Sequence, residues 1–142
     1  MRLDYFICDQ QKVKTLENAY YWSNLYSPNY PDEYNNLDDC GLQIYSPNGV
    51  VILEIVHFDL NGGYDKLLVY DGADKQSRLL ATYTGKNESG YVVSSGEHLY
   101  IKYNSGIGFP NSRFHLRFTS GWSIIKFVVG LYISIPREFY CL

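Results

Sequence analysis

The three histidines, His57, His98 and His115, are the side chains of this 142-residue chain with the widest catalytic use. A hydrolase would need one of them beside a nucleophile and an orienting acid. Neither the G-x-S-x-G nucleophile elbow nor the H-E-x-x-H zinc motif occurs in the sequence. All three histidines lie in or beside runs of strand-forming residues, where packing or surface exposure explains them. The sequence therefore predicts a chain without catalytic residues.

The three cysteines, Cys8, Cys40 and Cys141, are the other candidates for covalent or metal chemistry. The sequence contains no C-x-x-C motif, so a zinc or thioredoxin-like site has little support. In a secreted protein, an odd number indicates one disulfide and one remaining thiol. Spacing alone does not say which two residues pair, and it leaves the state of Cys141 open.

Composition and charge narrow the class of protein. The chain carries 12 basic and 15 acidic residues, for a net charge of −3, without the clustered basic excess of a nucleic-acid binder. Arg113, His115 and Arg117 alternate, which is typical of the wet face of a strand. Hydrophobic residues make up 46% of the chain, enough for a core, and the 15 tyrosines favour strands and adhesive surfaces.

The pattern of apolar residues predicts an all-β fold. Short β-branched and aromatic runs alternate with turn signals, and no amphipathic helix lies between them. Strands are predicted at 50–58, 66–70, 79–83, 91–93, 99–103 and 113–119. Residues 1–20 show little pattern, and residues 21–49 are dense in turn-forming residues. The sequence therefore predicts a two-sheet sandwich or a barrel.

The chain divides into an N-terminal extension at 1–20, a β-domain at 21–120 and an apolar tail at 121–142. The segment 124–135 is interpreted as an extra strand, a truncated membrane segment or sequence foreign to the mature domain. The N-terminus lacks the apolar stretch of a signal peptide. Membrane association and oligomeric state stay open, and the chain is either cytosolic or a piece of a larger secreted protein.

Six short motifs, in order, resemble those of the CUB domain family. The resemblance covers about residues 8–119, and the motifs follow the same order as in the family. They are YSPNYP at 26–31, YNNLDDC at 34–40, FDL and YDKL at 58–60 and 64–67, VYDG at 69–72, SSG and LYI at 94–96 and 99–101, and FHLRF at 114–118. The resemblance implies a compact all-β jelly-roll sandwich of two antiparallel sheets. It also implies an extracellular interaction module that generally binds proteins and sometimes glycans.

The family resemblance further implies a disulfide between Cys8 and Cys40, which match its first cysteine pair. The second pair is missing, because no cysteine falls near Tyr64 or Tyr83. Closing a loop of about 30 residues would stabilise the domain by about 3–4 kcal/mol in the chain-entropy model. The alternatives within this interpretation are an accessory domain of a CUB-bearing protease and a glycan-binding CUB domain.

Many CUB domains bind Ca²⁺ at one end, and the resemblance places the corresponding positions at Asn61, Asp65 and near Gly106. Only Asp65 keeps a carboxylate, with Asp59 as a nearby further candidate. Ca²⁺ needs six to eight oxygen ligands and enough negative charge to offset its desolvation. The sequence therefore predicts a degenerate calcium site and a domain that works without a cofactor.

Two further surface features are predicted. Asn87-Glu88-Ser89 forms a glycosylation sequon. Tyr30, Ile107 and Phe109 lie in loops of the type that carries recognition in β-sandwiches, and large aromatic side chains are efficient anchors. We therefore expect a protein partner, with a glycan as an alternative, and no nucleic acid.

Overall fold

The computed structural model of the chain contains only β-strands and connecting segments in the part that it describes. It describes residues 4–9, 13–16, 21–32, 39–47, 49–60, 62, 64–87, 89–106 and 113–121. The strands are β1 (Asp4–Phe6), β2 (Val13–Thr15), β3 (Ser23–Tyr26), β4 (Asp39–Tyr45), β5 (Val50–Asp59), β6 (Lys66–Asp71), β7 (Arg78–Tyr83), β8 (Lys86–Asn87), β9 (Gly90–Val93), β10 (His98–Asn104) and β11 (Arg113–Gly121).

The strands form two sheets that pack as a sandwich, which confirms the predicted fold class. Sheet A has the order β1-β3-β11-β5-β8, with β9 also paired to β5, and sheet B has the order β2-β4-β10-β6-β7. The prediction of purely antiparallel sheets is wrong, because β1 pairs with β3 and β2 pairs with β4 in parallel. Each parallel pair is separated in sequence by a strand of the other sheet, so no short hairpin imposes an antiparallel direction.

The core is built from alternate residues of the long strands. The inward positions of β10 and β11 are fully buried: Leu99, Ile101, Tyr103, Phe114, Leu116 and Phe118. Burying each large apolar side chain contributes about 1.5–3 kcal/mol. The rings of Tyr103 and Phe114 meet edge to face across the two sheets, with centroids 5.3 Å apart. The alternation predicted for β11 is confirmed.

Strand β5 is central in sheet A, as its apolar sequence predicted. It pairs with β11 along its length and with β8 and β9 on its other side. Its inward residues Val51, Leu53 and Ile55 are buried, while Val56 on the outward side is partly exposed. Apolar residues on both faces of a strand indicate such a central position.

Residues 21–49, which are dense in turn-forming residues and for which no strand was predicted, contain two strands, β3 and β4. In β3 only Leu25 is both apolar and fully buried, and in β4 polar residues at outward positions hide the inward apolar alternation. In β4, for example, Leu42 and Ile44 are buried while Gly41 and Gln43 face outward. Sheet pairing with β10 along seven residues supplies the order that the local sequence pattern does not show.

Several connections converge at one end of the sandwich, which we call the disulfide end. Strands β1, β3, β5 and β10 run toward it, and β4, β6 and β11 begin there. Within the part of the chain that the structure describes, no helix is long and apolar enough to cross a membrane. The tail discussed above lies beyond Gly121, outside the described residues, as does Cys141.

Candidate binding surface

The disulfide between Cys8 and Cys40 is present, as the family resemblance implied. Its sulfur atoms are 2.01 Å apart and its Cα atoms 5.2 Å apart. It connects the turn after β1, at the edge of sheet A, to the beginning of β4 in sheet B. Two cavities lie beside it, and Cys8 and Asp9 line both of them. The disulfide therefore lies between two separate recesses of the surface.

On the sheet A side, four rings form an aromatic cluster, defined by Phe6, Tyr26, Tyr30 and His115. The Tyr26 ring stacks on Tyr30 with centroids 4.7 Å apart and on His115 with centroids 4.5 Å apart. Phe6 packs against the same Tyr26 ring at 5.5 Å. All four rings are half-buried, so they keep accessible edges or faces. Aromatic pairs at these distances add about 0.5–1.5 kcal/mol beyond the area that they bury.

Cross-strand pairing explains why three of these rings meet. Phe6 lies opposite Tyr26 in the β1–β3 pair, and Tyr26 lies opposite His115 in the β3–β11 pair. Cross-strand partners on one face of a sheet bring their side chains close together. The fourth ring, Tyr30, comes from the loop after β3 and closes over the row.

Hydrogen bonds fix the loop that carries Tyr30. The buried Ser27 donates its backbone N–H to the Phe114 carbonyl at 3.0 Å, and its Oγ accepts from the Phe114 N–H at 3.0 Å. Arg113 Nη1 donates to the Pro31 carbonyl at 3.0 Å. Asn29 takes the left-handed conformation, with φ of 63°, which asparagine tolerates better than most residues. The loop is therefore tied to β11 at both of its ends.

A polar chain sets the protonation of His115. The buried Asn24 donates its Nδ2 to Asp4 Oδ1 at 2.8 Å, so its Oδ1 is the atom that faces His115 Nε2 at 2.8 Å. Because an amide oxygen only accepts, His115 Nε2 carries a proton. This arrangement orients the imidazole against Tyr26 and leaves the ring in a structural role within the cluster.

The cavity next to the aromatic cluster has a volume of about 360 Å³. It is lined by Phe6, Cys8, Asp9, Pro28, Asn29 and Tyr30. Aromatic rings, a proline ring and a few polar groups together resemble the anchoring pockets of protein interfaces.

The structure places the predicted recognition residues differently. Tyr30 is part of the aromatic cluster, whereas Ile107 and Phe109 lie outside the described residues. Sequence reasoning missed Phe6 and Tyr26 as members, and it assigned His115 only to a wet strand face. The one sequence signal for the cluster was the position of Tyr26 directly before the turn at 27–31. The rings that contact Tyr26 come mostly from strands distant in sequence, so this signal did not identify them.

The other two histidines, His98 and His57, lie outside the aromatic cluster. His98 Nδ1 lies 3.0 Å from Gln43 Nε2, and the His98 ring stacks on Tyr45 with centroids 4.7 Å apart. His57 is exposed on the outward face of β5, directly across the ladder from His115. Stacking and hydrogen bonding therefore account for His98, and His57 is a surface residue.

Asp65 connects two loops at the disulfide end. Its side chain is only 2% exposed, and Oδ1 accepts a hydrogen bond from the Gly106 N–H at 2.8 Å. A Cβ at position 106 would lie 2.9 Å from the Tyr64 carbonyl oxygen, so glycine permits the close approach. Asp65 thus accepts from a loop amide at the position where the family resemblance placed a Ca²⁺ ligand.

The other candidate ligands do not complete a calcium shell in the described residues. Asp59 Oδ2 lies 3.8 Å from Lys86 Nζ, a cation that competes with a metal, and Asn61 lies outside the described residues. Among the described residues, no group of three or more His, Cys, Asp or Glu side chains could hold a metal ion. Since Ca²⁺ needs six to eight oxygen ligands, the degenerate calcium site stays a prediction.

The sequon residue Asn87 ends the short strand β8 at the edge of sheet A. Its backbone pairs with Phe58 of β5, and its side chain lies outside the described residues. Ser89 of the same sequon is exposed. Glycosylation at Asn87 stays a prediction.

Comparison with curated proteins gives similar sequences in two much longer proteins. The chain is 39% identical to Cubilin of Rattus norvegicus over 101 residues, which is 65% of this chain and 3% of that protein. It is 33% identical to Neuropilin-1 of Gallus gallus over 112 residues, 75% of this chain and 12% of that protein. The chain therefore spans only a small part of the relatives that it matches.

Both the fold and the sequence of the chain resemble those of CUB domains. The MASP-1 CUB2 domain, whose crystal structure was solved with Ca²⁺ bound, superposes with a TM-score of 0.65 over 80% of this chain and 100% of that one. At 18% identity, this likeness shows the fold alone. The sequence profile of the CUB domain matches residues 8–118, most of the chain. The chain belongs to the CUB domain family.

Proposed function

We propose that this CUB domain is a non-catalytic extracellular module that recognises a protein partner through the aromatic cluster, without a metal ion. The observation that carries the proposal is the Tyr26 ring, stacked on both Tyr30 and His115 beside the 360 Å³ cavity. Tyrosine combines a large apolar ring with a polar hydroxyl, which suits it to a surface that is wet when free and dry when bound.

Preorganisation supports this proposal. Binding costs free energy when side chains must be ordered at the interface, about 0.5–1.5 kcal/mol for each rotamer-rich side chain. Here Tyr30 is already held by the hydrogen bonds of Ser27 and Arg113, and His115 by Asn24. The cluster therefore presents its rings to a partner with little further ordering.

Extracellular location is supported by the Cys8–Cys40 disulfide, because such bonds persist in oxidising compartments. The related cubilin and neuropilin-1 chains point to a domain of a larger protein. A role without metal is supported by Asp65, whose Oδ1 accepts from the Gly106 amide.

The test is a binding screen of the oxidised domain, displayed as a tetramer, against an array of purified secreted and cell-surface ectodomains. We expect at least one ectodomain to bind wild-type protein and to lose about 10-fold or more in affinity with Tyr30→Ala, as for an interface anchor. Tyr70→Ala is the matched control, because Tyr70 is a half-buried tyrosine on the outward face of sheet B.

Two results would contradict the proposal. One is that the variants fold but Tyr30→Ala and Tyr70→Ala lower the affinity for every bound ectodomain equally. The other is binding that disappears when Ca²⁺ is chelated, which would return the recognition surface to the loops around Asp65.

A further inference from the structure

The outward side of sheet A carries an apolar surface at the end opposite the disulfide, which we call the apolar face. It is formed by Tyr91 and Val93 of β9, Ile52 of β5 and Trp22, the residue before β3. Tyr91 and Val93 are 64% and 44% exposed, and Ile52 and Trp22 are half-buried. We infer that the apolar segment 124–135 of the same chain packs on this face, a site separate from the aromatic cluster.

Strand register brings the members of the apolar face together. Val93 lies opposite Ile52 in the β5–β9 pair, and Ile52 lies opposite Thr119 in the β5–β11 pair. Tyr91 lies opposite Glu54 one row further along the same two strands. Residues two positions apart on a strand point to the same side of a sheet. The exposed side chains of β9 and β5 therefore form one continuous surface.

The acid and the base of this face are paired with each other. Arg117 Nε donates to Glu54 Oε2, and Tyr91 Oη donates to Glu54 Oε1 at 3.3 Å. The Arg117 guanidinium also lies over the Trp22 ring, 4.5 Å from its centroid. Removing an isolated charge from water is costly, whereas a paired and hydrogen-bonded charge is tolerated. An apolar cover on this face is therefore not opposed by an unpaired Glu54 or Arg117.

The chain leaves sheet A at one corner of the apolar face. Strand β11 ends at Gly121, which lies opposite Val50 at the beginning of β5. A Cβ at position 121 would lie 2.6 Å from Ile52 Cδ1, so the outward side of this glycine lies against Ile52. An extended chain spans about 3.3 Å per residue, and neighbouring strands are about 4.8 Å apart. Residues 122 and 123 are therefore long enough to bring the beginning of the segment onto the face.

The area of the apolar face favours a short segment over a second copy of the domain. The face spans the four strands β3, β11, β5 and β9 and two rows of side chains, roughly 15 by 15 Å, or on the order of 200–250 Å². A stable interface between two proteins buries about 800 Å² on each partner. Four or five extended residues cross a surface of this width. The first half of the segment supplies five apolar side chains: Ile124, Ile125, Phe127, Val128 and Val129.

Thiol labelling of the intact oxidised chain with an uncharged maleimide tests this inference. Val93→Cys is compared with Leu79→Cys, each in a Cys141→Ser background that removes the remaining thiol. The pair is matched, because Val93 is 44% exposed and Leu79, on the edge strand β7 of sheet B, is 48% exposed. We expect position 93 to react about 10-fold or more slowly than position 79, since only the sheet A side is covered and must open before labelling.

Variants of the segment identify what covers the face. Val128→Asp together with Val129→Asp should return labelling at position 93 to within about twofold of the control position, because carboxylates oppose burial against an apolar surface. Ser123→Asp together with Ser134→Asp adds the same charge at polar positions and should leave the slow labelling unchanged.

Four results would overturn the inference. One is equal labelling of positions 93 and 79 in the folded chain, and another is equal recovery of labelling with both aspartate pairs. A third is protection that disappears on dilution, which would assign the face to a second copy of the chain. The fourth is protection that appears only with phosphatidylcholine vesicles, which would assign the face to a membrane surface.

Discussion

The two recesses beside the disulfide share Cys8 and Asp9 but differ in chemistry. On the sheet A side, stacked rings and loop backbone form the wall, and the polar groups nearby are hydrogen-bonded to one another. On the sheet B side, a cavity of about 470 Å³, which we call the polar groove, is lined by the Tyr100 ring and by the Lys102–Asp39 ion pair. One covalent connection therefore lies between an aromatic surface and a polar groove.

The difference arises from how each side holds its rings. In the aromatic cluster, Tyr26 is stacked on both Tyr30 and His115, so the rings cover part of one another's surface. In the polar groove, Tyr100 rests against the backbone at Gly41, which leaves the ring accessible beside charged groups. Since no residue besides Cys8 and Asp9 lines both recesses, variants on one side should leave the other side unchanged.

Loss of the disulfide should have the largest effect, because it acts on both recesses. The bond closes a loop with a sequence separation of 32 residues. Replacing Cys8 and Cys40 together with serine should lower the free energy of unfolding by about 3–4 kcal/mol. Urea unfolding monitored by tryptophan fluorescence measures this change.

The double variant should also weaken ectodomain binding, because Cys8 lines the cavity beside the aromatic cluster. A loss of stability below about 1 kcal/mol, or ectodomain binding equal to that of wild type, would contradict a positioning role for the disulfide.

Ser27→Ala should weaken binding at the aromatic cluster alone. The substitution leaves the Phe114 N–H buried without its Oγ acceptor, which costs about 1–3 kcal/mol. Ser94→Ala is the control, because buried Ser94 accepts from the Val51 N–H in the same way at the opposite end of the domain. Both variants should lose similar stability in urea, but only Ser27→Ala should weaken ectodomain binding. Equal binding losses would show that general stability governs recognition.

Substituting one tyrosine from each recess gives the next test. Tyr30→Ala should weaken ectodomain binding about 10-fold, while Tyr100→Leu in the polar groove should leave it within about twofold of wild type. The two variants are compared in the array screen. If both variants reduce ectodomain binding equally, the two recesses act as a single site.

Gly41→Ala should have a small effect on stability and none on ectodomain binding. The added methyl group meets the end of the flexible Tyr100 side chain, which can move at a cost below about 1 kcal/mol. In a Tyr100→Leu background, the same alanine should change the free energy of unfolding in urea by less than it does in wild type, as a double-mutant cycle would show. An equal loss in that background would contradict an action through the ring.

Calcium should have the smallest effect. Because Asp65 is bonded to Gly106 and the described residues do not form a Ca²⁺ shell, 1 mM Ca²⁺ should raise the melting temperature by less than about 1 °C. Differential scanning calorimetry with and without EDTA measures this shift. Calorimetric binding tighter than about 1 mM, the weak end for extracellular modules, would contradict it.

Six strands, β5, β6, β7, β9, β10 and β11, could be predicted from the sequence because each carries its own apolar pattern, whereas the two-residue β8 was not predicted. In β11, Phe114, Leu116 and Phe118 alternate with polar residues, and all three are buried. The short strands β1 and β2 could not be predicted, because three residues carry too little periodicity. Their order comes from parallel pairing with β3 and β4, which depends on the assembled sheets.

The candidate surfaces were predictable only in part. Tyr30 was identified from a turn rich in aromatic residues and proline. Its stacking partner Tyr26 and the His115 ring that stacks on Tyr26 are 89 positions apart, and sheet pairing brings them together. The polar groove was not predicted at all, because Tyr100 and Gly41 meet only through the β4–β10 ladder.

The sequence by itself determined the all-β class, the core face of the long strands and the family resemblance, from which the Cys8–Cys40 pairing followed. Those features depend on residue types at short spacing, where side-chain direction alternates with a period of two. Only the tertiary structure decided which outward-facing side chains become neighbours. Cross-strand register and a disulfide between the two sheets place distant residues in contact, and local sequence carries no record of that register.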